Sequence, residues 1–281
     1  MDFQSLTSLK KSGILSEGPY CLVLAEDAVE IPSTVAHHLS LGFSKVLLAL
    51  PKGVTRVKNL SEHCLSFPKE GTLDALLNTL TNALPKGTWL GLVYNAEYLF
   101  FPFSDQRNIK EVCTHVEEER RHTIFCHIVD LYAADLTQAQ NGVSRERAHF
   151  DTSGYYALPR WHMGTKLSRQ IQIFGGLRRR FEEHVTWEKR RIDRVSLFRT
   201  GLSGSITPDL RFSNPESNTY TSPWHHSLTA SICSFRAAKA LATNPGSASA
   251  IDTFMWPHSE KFSWSSQQLL EHGFMEPGQW F

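Results

Sequence analysis

Apolar residues along the chain fall into short continuous runs separated by stretches with helical spacing. The run YCLVLA at 20–25 is nearly unbroken, as expected of a strand covered on both faces. Ile31-Pro32 then opens a helix on which Val35, His38, Leu39 and Leu41 share one face, with Gly42 as its stop. FSKVLLAL at 43–50 is a second buried strand, which completes a βαβ unit. The rhythm repeats. Leu73, Leu76, Leu77, Leu80 and Leu84 follow helical spacing behind a Thr72 N-cap, Pro85-Lys86-Gly87 ends the helix, and WLGLVY at 89–94 resumes an apolar strand. Ile109, Val112 and Val116 line one side of a helix over 108–120, and HTIFCHIVDL at 122–131 forms another strand. Strands alternating with helices predict an α/β fold whose mostly parallel sheet is flanked by helices.

After about residue 132 this rhythm is lost. FDTSGYYALPRW at 150–161 reads as a loop or short hairpin. IQIFGGLRRRFEE at 171–183 reads as a short strand, a Gly175-Gly176 turn and three arginines on extended chain; RRIDRVSLFR at 190–199 reads as a strand. Helices are expected around 237–242 and 265–272, and no internal repeat is present.

Composition narrows the class. With 281 residues, 41% hydrophobic and 20% charged, the chain lies far from the disordered regime and can bury a sizeable core. The 29 Lys and Arg balance 28 Asp and Glu, so no global field draws the chain to nucleic acid or anionic lipid, and any basic site is local. Glu182, Glu183 and Glu188 interrupt the basic residues around Arg178–Arg180 and Lys189–Arg191, which argues further against a nucleic-acid partner. No apolar run reaches the roughly 18 residues of a membrane span, and residues 1–18 lack a signal-peptide apolar region. The expectation is a soluble, cytoplasmic protein. Cys21, Cys64, Cys113, Cys126 and Cys233 have scattered spacings with no C-x-x-C pair, so they are expected as buried thiols. Serine-hydrolase, zincin and P-loop motifs are absent.

AEDAVEIPSTVAHHLSLGFSKVLLAL at 25–50, WLGLVYNAEYLFFP at 89–102, DLY at 130–132, FDTSGYY at 150–156, FGGLRRRF at 174–181 and RVSLFR at 194–199 occur in an order that resembles bacterial proteins related to glycosyltransferase family 2. The resemblance implies a GT-A-type nucleotide-sugar fold. It divides the chain into a nucleotide-sugar-binding-like half at 19–132, an acceptor-side half of the same domain at 133–236, and a helical tail at 237–281. It implies transfer of a sugar from a nucleotide-diphosphate sugar to a hydroxyl acceptor such as a surface glycan. It also implies a Mn²⁺ or Mg²⁺ ion, held by a D-x-D carboxylate pair at a strand end, to stabilise the leaving diphosphate. The alternative is a paralogue that keeps the fold as a ligand-binding or scaffolding module.

The chain departs from the family at those positions. Tyr94 and Ala96 stand where the two aspartates fall, and a shift of one residue places Asn95 and Glu97 there instead. LPKGV at 50–54 replaces an Asp-rich loop, and Ser234-Phe235-Arg236 stands for an H-F-K triplet. Weak metal binding is therefore expected, and no metal ligand is assigned. Glu97 is the candidate catalytic base, with a solvated strand-end acid as its bland reading. Glu26 and Asp27 either contact a base or ribose or simply favour a helix N-terminus. Tyr94 and Asn95 are expected to line a strand-end cleft with Glu97. On extended chain Arg178 and Arg180 share a face and clamp a diphosphate, while Arg179 faces away; the bland reading pairs them with Glu182, Glu183 and Asp193 on the surface. His38 is expected to be packed and His37 exposed, and one of His225 and His226 is a candidate replacement for the lost family histidine.

Overall fold

Strands β1 (Tyr20–Leu24), β2 (Lys45–Leu50), β3 (Cys64–Pro68) and β4 (Trp89–Tyr94) form a parallel block in the order β3-β2-β1-β4 in the computed structural model, which describes residues 1–54, 57–58 and 60–280. Helices α1 (Leu6–Lys11), α2 (Ile31–Ser40), α3 (Leu73–Ala83) and α4 (Ile109–Glu118) cover both faces. Side chains alternate across a strand, so Cys21 and Val23 pack with Ile31, Val35 and Val112, while Leu22 and Leu24 pack with Leu9, Leu77 and Leu80. Burial on both faces is why these strands read as unbroken apolar runs. The chain at α4 is held by a capping box: Asn108 Oδ1 accepts from the Lys110 and Glu111 amides at 2.9 and 3.2 Å, and Glu111 accepts from the Asn108 amide at 2.8 Å.

The fold is α/β, but the sheet is mixed rather than mostly parallel. WLGLVYNAEYLFFP is not one strand: Asn95 and Ala96 turn the chain, with Ala96 at φ 60°, into β5 (Glu97–Phe100). Strand β6 (Thr123–Ala133) is followed by β7 (Ala148–Asp151), antiparallel to it, and by a separate hairpin of β8 (Tyr156–His162) and β9 (Thr165–Phe174). Strand β10 (Asp193–Arg199) then inserts between β4 and β6, antiparallel to both. Strand β11 (Ala230–Ser234) lies parallel to β6 and antiparallel to β5, and β12 (Ser259–Lys261) pairs antiparallel with β7. Periodicity reports which residues are buried, whereas strand direction depends on how the connecting chain arrives. The later chain thus joins the same sheet, and the segment after residue 237 adds β12 to its helices.

Two local readings change. Arg178–Arg180 lie on a short helix, α5 (Gly176–Arg180), not on extended chain, because Gly176 at φ 60° turns the backbone immediately after β9. His37 is packed as well as His38: its Nε2 lies 2.8 Å from the Leu99 carbonyl oxygen and its ring meets Tyr98 and Phe100. Burial lowers the two imidazoles to about 4 and about 3, so they are neutral packing groups. All five cysteines are buried free thiols. The remaining helices are α6 (Arg236–Thr243), α7 (Pro245–Ala248) and α8 (Ser266–Glu271). Among the described residues no helix is long and apolar enough to cross a membrane.

Candidate functional site

The carboxyl ends of β1, β4 and β11 open on one edge of the sheet, the edge at which open α/β sheets place their ligands. A cleft of about 660 Å³ lies there, between α6 on one side and α5 with the turns that follow it on the other. Arg178, Lys189, Arg191, Arg194, Arg236 and Lys239 line it against four carboxylates, so its wall carries more positive than negative charge.

Arg236, the first residue of α6, forms the centre of one wall. Its Nε and Nη2 donate to the two oxygens of Glu26 at 2.9 and 2.6 Å, and its guanidinium carbon lies 3.5 Å from the centre of the Tyr94 ring. Burial pulls against this cation, but the hydrogen bonds and charge of Glu26 and the charge of Glu97 more than offset it and raise its pKa. Arg236 is therefore a permanent cation. Glu26 lines the cleft, while Asp27 stands beside it, with Oδ1 accepting from Val29 N at 2.9 Å and Oδ2 paired to Lys239 at 2.7 Å. Asn95 is buried and spent on structure. Its Oδ1 accepts from the Glu26 amide at 2.8 Å, and its Nδ2 donates to Asp27 and to the Val29 carbonyl at 2.7 and 2.8 Å.

Glu97 lies one side chain behind the cleft wall. It is fully buried; Oε2 accepts from the Tyr94 amide at 2.8 Å and from Arg194, and Oε1 accepts from the Ser234 hydroxyl at 3.0 Å. Burial pushes its carboxyl upward, but Arg194 and then Arg236 outweigh that and hold it at about 2. A carboxylate so engaged has no lone pair directed at the cleft and little basicity. Arg194 is also consumed, donating through Nε to Ser196 Oγ at 2.6 Å.

The strand registers place Glu97 at one end of a row. Ser234 faces Glu97 on β5 and Asp130 on β6; Leu131 faces Phe150, so Asp151 on β7 is next in line. Each carboxylate of the row meets an arginine: Glu97 meets Arg194, Asp130 meets Arg178, and Asp151 meets Arg180. Arg178 reaches the cleft, with its Nη1 donating to the Arg191 carbonyl at 3.0 Å. Arg180 does not: it donates to Asp151 Oδ1 at 2.9 Å and to the Phe254 carbonyl at 2.8 Å, in a separate hollow of about 350 Å³ beside Trp256. Arg179 donates to the Gly154 carbonyl at 2.8 Å at that same hollow. The helical conformation of α5, rather than an extended one, sends Arg178 and Arg180 to neighbouring carboxylates instead of to one ligand.

Asp130 differs from its neighbours. Burial raises its carboxyl to about 6 despite the charge and the nearby backbone amide of Arg178, and no side chain among the described residues hydrogen-bonds to its oxygens. Gly176 makes room for it, since a Cβ there lies 2.9 Å from Asp130 Oδ2. With φ at 60° as well, Gly176→Ala is expected to destabilise the fold by about 1–3 kcal/mol, the scale of a strained left-handed residue, as read from urea unfolding. An unchanged midpoint would mean that α5 shifts freely.

His225 and His226 lie away from the cleft, facing Glu119 and Glu276 at 3.7 and 3.5 Å. Sequence reasoning did not single out Arg194, Lys239, Asp130 or Asp151 as site residues. The signal for Arg236 was present, since the SFR triplet carries a cation where the family has lysine. Compared with known proteins, the chain matches no family model and no curated protein.

Proposed function

We propose that the cleft binds a nucleotide-diphosphate sugar and that the chain is a glycosyltransferase-family-2-like transferase acting on a hydroxyl acceptor. The observation that carries this reading is the cleft itself: a volume of about 660 Å³ at the carboxyl edge of a β3-β2-β1-β4 block, with six basic side chains on its wall. Guanidinium groups match phosphate oxygens in geometry and stay charged at every relevant pH. The order of motifs that resembles the family adds support, because the segments around Glu26, Tyr94, Arg178 and Arg236 all come together at this edge. A second reading, a binding module that has kept the cleft and lost transfer, is favoured by the engagement of both Glu97 oxygens.

A panel of nucleotide sugars in a thermal-shift assay tests the binding claim. Ligand at about a hundred times its Kd adds about 2.7 kcal/mol, which raises the Tm by several degrees. The expected result is a shift for one nucleotide class and none for the free sugar. No shift with any member removes the nucleotide-sugar reading, and a shift without release of nucleoside diphosphate in the presence of hydroxyl acceptors favours the binding module.

A further inference from the structure

The Mn²⁺ or Mg²⁺ ion implied by the family resemblance does not fit the residues at this strand end. Hard divalent ions need several oxygen ligands, at least some of them charged. Here the three carboxylates nearest the ends of β1 and β4, Glu26, Asp27 and Glu97, are already engaged. Both oxygens of Glu26 accept from Arg236. Glu97 is enclosed by Arg194, Ser234 and the Tyr94 amide. Asp27 is divided between Val29, Asn95 and Lys239. Tyr94 presents its ring face to a guanidinium, and the Asn95 oxygen is taken by a backbone amide. Among the described residues no three His, Cys, Asp or Glu side chains converge as a metal site.

The same contacts describe a different device. Glu26 holds one edge of the Arg236 guanidinium, the Tyr94 ring lies against its plane, and Glu97 faces Nη1 at 4.0 Å. Nη1 makes no hydrogen bond with the described residues, and Arg236 lines the cleft. One arm of the fork is therefore held near Glu97 without a hydrogen bond, on a residue that lines the cleft. We propose that the Arg236 guanidinium is the resident cation of this cleft, and that a diphosphate is recognised there without any divalent metal ion. Glu26, Tyr94 and Glu97 are then the cage that positions this cation rather than ligands for a metal. Arg178 and Arg191, which also line the cleft, supply further positive charge to the phosphate oxygens. The inference rests on the proposed reading of the cleft as a diphosphate site, and it gives that site a chemistry different from the family's metal-assisted one.

Calorimetric titration of the full chain with inorganic pyrophosphate and with a nucleoside diphosphate, each in EDTA and in Mn²⁺, tests it. The expected Kd differs less than about twofold between EDTA and Mn²⁺, and weakens by about tenfold to a hundredfold in Arg236→Lys, which keeps the charge but cannot hold Glu26 and donate at once. Arg179→Ala, outside the cleft, is the control and is expected to leave the Kd unchanged. Circular dichroism of Arg236→Lys establishes that it folds; if it does not, the comparison of EDTA with Mn²⁺ on the unaltered chain decides alone. Binding that appears only with Mn²⁺, or strengthens more than about tenfold with it, overturns the proposal, as does failure of both probes to bind. Metal-free binding of pyrophosphate with no binding of any nucleotide sugar leaves the resident cation standing and removes the nucleotide-sugar reading. Nucleotide-sugar binding that requires Mn²⁺ does the reverse.

Discussion

Glu97→Ala is expected to destabilise the protein by about 3–5 kcal/mol, the scale on which removing one partner of a buried ion pair leaves the other uncompensated. Arg194, 4% exposed, is that other partner, and its remaining bonds are to Ser196 and the Leu92 carbonyl. The same network makes stability depend on pH. The folded carboxyl sits at about 2 against an ordinary value of 4.5, so its contribution is fully present above about pH 4.5 and is lost as pH falls toward 2. Urea unfolding of the parent at a series of acid pH values should show this loss, and Glu97→Gln should flatten it. A Glu97→Ala cost below about 1 kcal/mol would mean that Arg194 finds water, and that the row at the strand ends is more open than its burial indicates.

Three of the four strands of the parallel block were legible because they are buried on both faces, so the runs at 20–25, 43–50 and 89–94 needed no tertiary knowledge to be placed, whereas the short β3 was not read from the sequence. The antiparallel insertion of β10 was not, since RRIDRVSLFR has the same apolar character whichever way it runs. The site was partly legible for a similar reason. Glu26, Tyr94, Asn95 and Glu97 each follow or end an apolar run, which marks them as strand-end residues, but that β1 and β4 are direct neighbours is a pairing the βαβ unit of β1 and β2 does not specify. Their partners Arg194, Arg236 and Lys239 arrive from β10 and α6, and the side-chain pairings of Arg236 with Glu26 and of Lys239 with Asp27 span more than 200 positions of chain. No local pattern encodes such a pairing. The three arginines at 178–180 show the opposite failure: the residue types were noticed, but the Gly175-Gly176 turn starts a helix instead of continuing a strand, and this changes which way each one points.

Asp130→Asn is expected to stabilise the protein by about 1–3 kcal/mol at pH 7.5 and to change little near pH 4. The folded carboxyl lies at about 6, above its ordinary 3.8, so a proton bound there favours the folded state. That contribution is fully present below about pH 3.8 and is lost as pH rises through 6, after which the ionised group is a cost. Arg178, 3.4 Å away, already offsets part of the burial penalty in that value, so the difference between 3.8 and about 6 sets the upper end of the expected gain, about 3 kcal/mol. The parent's stability is therefore expected to fall between about pH 4 and pH 6, opposite in sign to the Glu97 limb, with the variant lacking this fall; urea midpoints at several pH values read both. Destabilisation by Asp130→Asn at pH 7.5 would make the Asp130–Arg178 pair a net structural asset. The expected gain would instead mark a carboxylate held at a cost beside an arginine of the cleft wall.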